Sequence, residues 1–116
     1  MLAMVAVGAV EIKCTIRPDQ ELLAERVMEV DEDSAEVRFV YFFDTADLDL
    51  FKAGMILRAR LVKGDADDST VKIRPVEPAS VASDWRQLQG FKLEADWVGD
   101  DVVCSASLTV RQRRDE

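Results

Sequence analysis

Four stretches of this chain repeat one two-residue alternation, apolar then charged, and that repeat confines most of it to β-sheet with one apolar and one ionic face. In residues 5–16, Glu11, Lys13 and Thr15 fall on one side and Val10, Ile12, Cys14 and Ile16 on the other. In residues 55–62, Arg58 and Arg60 share a side with Ile56 and Val62, opposite Leu57, Ala59 and Leu61. Residues 69–74 set Thr70, Lys72 and Arg74 against Val71 and Ile73. Residues 91–98 set Lys92, Glu94 and Asp96 against Phe91, Leu93, Ala95 and Trp97. Two further stretches, 35–43 and 102–110, read as strands from their β-branched and aromatic content.

Residues 63–68 and 98–101 have the Gly and Asp content of hairpin loops. Residues 18–29 open on Pro-Asp and space Leu23 and Val27 four apart, which predicts a helix. Residues 79–89 predict a second one, with Trp85 and Leu88 at helical spacing and Gly90 as its stop. Short connections between successive strands require antiparallel pairing. The expected class is β-dominated α+β, a single domain over residues 1–116 with an antiparallel sheet and one or two short helices. Phe39, Tyr41, Phe43, Trp85 and Trp97 are expected in the packing. A sheet of six strands leaves open edges, so truncation, or association through an edge as a homodimer, is expected.

The chain has no histidine. That excludes Ser-His-Asp and Cys-His hydrolases and every His-ligated metal site. A metal held here must be hard and oxygen-bound, namely magnesium, manganese or calcium on carboxylates. Asp65, Asp67 and Asp68 have the composition of a calcium loop but neither its spacing nor its closing glutamate. A net charge of −8 argues against general nucleic-acid binding. The longest apolar stretch, residues 1–10, is too short to span a bilayer and lacks the marks of a secretory signal, so the cytoplasm is the expected compartment. Cys14 and Cys104 form no disulfide framework and read as buried free thiols.

The charged faces are not mixed in the way of an ordinary solvated sheet face. Arg58 and Arg60 stand about 7 Å apart on one side of a strand, and Lys72 and Arg74 repeat the same sign on the next strand. Like charges side by side disfavour a sheet unless an anion compensates them. Turned inward on a concave sheet, they form a cradle for a polyanion. Glu11, Glu94 and Asp96 complete such a site, because a divalent ion between carboxylate and phosphate offsets their repulsion. The competing reading of each acidic pair is an ion pair with a neighbouring base.

Five segments, in order, resemble the CYTH domains, also known as triphosphate tunnel metalloenzymes. Val10-Glu11-Ile12-Lys13 resembles the end of the ExExK signature. Tyr41-Phe42-Phe43-Asp44-Thr45 is similar to the YFDT strand end, and Leu50 to Arg60 to the segment ending in LRxR. Gly54 within it fits a turn that needs positive φ. Thr70 to Arg74 resembles the following strand with its lysine, and Lys92 to Asp96 the later acidic strand.

The resemblance implies an antiparallel tunnel with charged side chains lining its bore, and a divalent-metal triphosphatase acting on inorganic, nucleoside or thiamine triphosphate, or on RNA 5′-triphosphate ends. Adenylate cyclase activity, also found in the family, is the less favoured form here. On the matching positions, Glu11, Glu94 and Asp96 bind Mg2+ or Mn2+, and Glu11 and Lys13 act in catalysis. Arg58, Arg60, Lys72 and Arg74 hold phosphate oxygens. Two departures bear on turnover: Ala9 stands where the family has its leading glutamate, and nothing after Asp101 resembles the later carboxylate cluster. They raise the alternative of a non-catalytic polyphosphate- or nucleotide-binding module, and of a tunnel truncated at its C-terminal side. A plain interaction sheet with solvated charges is the third reading.

Overall fold

The computed structural model describes residues 8–113. Strands β1 (Ala9–Ile12), β2 (Arg38–Phe43), β3 (Met55–Val62), β4 (Asp67–Ile73), β5 (Phe91–Val98) and β6 (Asp101–Gln112) form one six-stranded sheet. Their spatial order is β1-β5-β6-β4-β3-β2. The strands β3 and β5 fall where the alternation puts them, and the Gly64 and Gly99 loops turn β3 into β4 and β5 into β6. The predicted first strand begins partly outside the described residues; its described part is β1.

Two expectations are corrected. The sheet is mixed, because β1 runs parallel to β5 while every other pair is antiparallel. A tight hairpin dictates direction only between successive strands, and β1 pairs with a strand distant in sequence. Among the described residues the sheet also does not close into a barrel: β1 and β2 are its edges.

Helix α1 (Glu21–Val27) follows a 3-10 turn at Pro18–Gln20, inside the predicted helix. Residues 79–89 do not form one helix. They give a 3-10 turn, Pro78–Ser80, and the single turn α3 (Ser83–Arg86), separated by Ala82 in extended backbone. Ser80, Val81 and Ser83 are poor helix-interior residues, so the Trp85–Leu88 spacing has little to propagate it. The turn α2 (Asp49–Lys52) has no periodic signal and is set up by capping. The Asp44 carboxylate accepts from the Leu50 and Phe51 N–H groups at 3.0 Å, and Thr45 Oγ1 accepts from Asp49 N–H at 3.1 Å.

Alternation sorts the sheet as expected, but burial follows it in reverse over β4. Asp68 and Thr70, on the polar face, are 5% and 6% exposed; Val71 and Ile73, on the apolar face, are each 43% exposed. Over β4 the polar face is thus the enclosed one, and it lines a groove on the concave side of the sheet. On the convex side, Leu93, Ala95 and Ala106 are buried, with α3 packed against β5. Over β2 to β4 the apolar side is open, so Phe39, Tyr41 and Phe43 are exposed rather than core, as are Trp85 and Trp97. Cys14 is exposed and Cys104 half-buried, both free, so burial as expected from sequence does not hold for Cys14. Among the described residues no helix is long and apolar enough to cross a membrane.

Two glycines fix the ends of the concave face. Gly54 has φ +77°, and a Cβ there would meet the Arg74 carbonyl oxygen at 2.8 Å, while its own carbonyl accepts from Arg74 N–H. Gly90, with φ +84°, sits closer still: a Cβ would stand 2.1 Å from the Thr109 carbonyl oxygen. Gly90→Ala is expected to cost about 1–3 kcal/mol from the backbone conformation alone, with relief of the clash adding to it. Chemical denaturation at constant slope checks this, and an unchanged midpoint contradicts it.

Candidate functional site

Register across the sheet converts the sequence faces into rows. Along the strands these rows lie about 7 Å apart. At one end, Arg60, Asp68 and Arg111 align across β3, β4 and β6. The next row holds Arg58, Thr70 and Thr109, and the one after it Ile56, Lys72, Ser107 and Lys92. Further on, Glu94 lies between Ser105 and Ala9, and Asp96 between Val103 and Glu11. These rows line one groove of about 800 Å³ that includes Arg58, Arg60, Lys72, Lys92, Glu94 and Glu11. Of the residues singled out from sequence, Glu11, Arg58, Arg60, Lys72 and Glu94 therefore line one groove, polarised from a cationic to an acidic end, while Lys13 and Arg74 both meet Asp96 beside that acidic end.

The cationic residues are not equivalent. Arg60 is committed: its Nε donates to both Asp68 oxygens at 3.0 Å and its Nη2 to Asp68 Oδ2 at 2.6 Å. That hydrogen bonding raises the Arg60 pKa and lowers that of Asp68, against the burial of each. Among the described residues Arg58 forms no ion pair with a carboxylate. Its Nη2 donates to Thr70 Oγ1 at 3.3 Å, and its buried Nε has no hydrogen-bond partner. Burial first, and then the Arg60 charge, pull its pKa below the usual arginine value, with Asp68 opposing. An arginine remains charged regardless. Lys72 and Lys92 flank Ser107, and neither takes part in the ion pairs of the described residues. Thr70 and Thr109 hydroxyls bond each other at 2.8 Å beside Arg58.

At the other end, Glu11, Glu94 and Asp96 each bring an oxygen within 4.8 Å of the others. The Asp96 side chain is fully buried, and neither of its oxygens has a hydrogen-bond partner. Lys13 Nζ and Arg74 Nε each stand 3.5 Å from Asp96 Oδ2, and Lys13 is also 3.9 Å from Glu11. These are ion-pair distances without hydrogen bonds. Three carboxylates against two cations leave the cluster one net negative charge. An all-oxygen donor set that includes a buried carboxylate with ion pairs but no hydrogen bond fits a hard divalent cation.

Sequence reading missed two members. Alternation groups Lys92 with the acidic residues of its strand, and only register sets it level with Lys72. Composition places Asp68 in a loop, yet it lies in β4 opposite Arg60. Arg74 sits with the acidic cluster rather than with the other basic residues. No family model, curated protein or solved structure matches this chain.

Proposed function

We propose that the concave face binds a triphosphate-bearing small molecule, with a magnesium or manganese ion at Glu11, Glu94 and Asp96. The observation that carries this reading is Arg58, a half-buried cation whose Nε lacks any partner, next to the unpaired Lys72 and Lys92. A folded sheet holds uncompensated positive charges together when an anion supplies the balance. Phosphates would lie along Arg58, Lys72 and Lys92, with Arg60 at the far rim and Arg74 toward the metal end. A divalent ion held by Glu11, Glu94 and Asp96 would supply Lewis-acid polarisation of phosphate oxygens. Glu11 and Lys13, more exposed than Asp96, would orient the attacking water. The CYTH resemblance of the sequence points the same way.

Binding without turnover is the second reading, and Ala9 favours it. Its register partner is Glu94, so the β1 position beside the acidic cluster carries a methyl group instead of a carboxylate. The test is calorimetry with tripolyphosphate, with and without Mn2+, alongside phosphate release from tripolyphosphate, ATP and thiamine triphosphate. We expect binding that Mn2+ strengthens. Phosphate release decides between the two readings, and no heat under either condition removes both.

A further inference from the structure

The geometry points to β2 as the contact strand of a two-fold dimer, in which two copies pair β2 to β2, antiparallel, with Tyr41 on the axis. This inference does not depend on the ligand. Strand β2 reads Arg-Phe-Val-Tyr-Phe-Phe, apolar on both faces, which is the pattern of a strand internal to a sheet. Yet it is an edge strand, and all six residues are exposed. Edges are ordinarily guarded by lysine, proline, bulges or brevity. Between Arg38 and Asp44, β2 has no charge, proline or glycine. The opposite edge, β1, is four residues long and carries Glu11 with Lys13 following.

The main chain sets which residues can pair. Val37 carbonyl accepts from Lys63 N–H at 3.0 Å, so odd-numbered peptide groups of this strand face β3. The N–H and C=O groups of Arg38, Val40 and Phe42 therefore face outward. Only even-numbered residues can exchange hydrogen bonds with a second copy, which leaves three central registers. Centred on Val40, the pairing sets Glu36 against Asp44, two like charges. Centred on Phe42, it sets Asp44 against Val40. Centred on Tyr41, it sets Arg38 against Asp44 at both ends, Phe39 against Phe43, and Val40 against Phe42. Charge complementarity thus selects the Tyr41 register, with aromatic cross-strand pairs filling its middle. Arg38 also pairs with Glu36 in its own chain, and Asp44 accepts from the start of α2, so both groups are already held at the edge. The axis is perpendicular to the sheet, so the two grooves open on the same side of one continuous sheet.

Light scattering on the full chain across micromolar to sub-millimolar concentrations should give twice the 13.0 kDa chain mass. Val40→Pro removes an outward N–H and no bond to β3, which an edge strand tolerates. Tyr41→Lys brings two ammonium groups face to face. Both are expected to give the single-chain mass with an unchanged circular dichroism spectrum. Register is read by disulfide trapping in a Cys14→Ser, Cys104→Ser background. Tyr41→Cys should cross-link to itself on mild oxidation, since a non-hydrogen-bonded antiparallel pair lies within disulfide reach. Phe39→Cys should not, its opposite number being Phe43. A single-chain mass throughout for the unaltered protein overturns the proposal. So does a dimer that survives both Val40→Pro and Tyr41→Lys, or self-linking of Phe39→Cys in preference to Tyr41→Cys.

Discussion

Arg58→Ala is expected to weaken tripolyphosphate binding by about 100-fold while leaving the melting temperature unchanged or slightly higher. The two halves of that expectation have one origin. In the free protein Arg58 is half-buried, its Nε has no partner, and its only hydrogen bond goes to the Thr70 hydroxyl. Removing it therefore breaks no ion pair and relieves a desolvated charge. In the complex, the same guanidinium gives charge-assisted hydrogen bonds worth roughly 1.5–3 kcal/mol each. Losing two of them removes about 3–6 kcal/mol, and at tenfold for every 1.4 kcal/mol the lower end of that range is about 100-fold. Lys72→Ala, which removes a point charge without a fork of donors, should cost about tenfold. Calorimetry and a thermal melt on the same preparations check both quantities. A structural arginine would give the opposite pair of results: unaltered binding and a large loss of stability.

Period-two alternation carried most of the sheet, because a strand's two faces are written directly into successive residues. It located β3 and β5 and put Arg58, Lys72 and Glu94 each on the polar side of its own strand, the side that lines the groove. It could not say which face the sheet bends toward, and here burial favours the polar one, with Asp68 enclosed and Val71 open. Nor does alternation contain register. Lys92 beside Lys72 and Asp68 opposite Arg60 follow only from how three strands align. The direction of β1 was invisible for a related reason, its partner being set by the whole topology and not by a neighbouring turn. The helix expected over residues 79–89 failed where Trp85 and Leu88 gave spacing without propensity.

Arg60→Ala should behave in the opposite way to Arg58→Ala, costing about 3–5 kcal/mol of stability because it leaves Asp68 buried without its partner. The Asp68 side chain is 4% exposed and takes three hydrogen bonds from Arg60. For a chain of this size that loss corresponds to a fall of roughly 10–20 °C in melting temperature. Its pH dependence identifies the cause. In the unaltered protein the Arg60 hydrogen bonds hold Asp68 below the usual carboxylate range, despite its burial. A depressed pKa contributes stability that is complete above the unfolded value, about 3.9, and is lost as pH falls through the folded one. Without Arg60, burial opposes the Asp68 charge with only Arg58 and Arg111 left to offset it, so acidification relieves the variant. The stability gap should thus be widest near neutral pH and narrow steadily toward pH of about 3. Asp68→Asn added to Arg60→Ala should recover part of the loss at neutral pH, since an amide avoids the buried charge. A gap under about 1 kcal/mol, flat across that range, would instead make the pair an ordinary exposed ion pair. Arg60 would then be as available to an anion as Arg58, and the division of labour between the two arginines would fall.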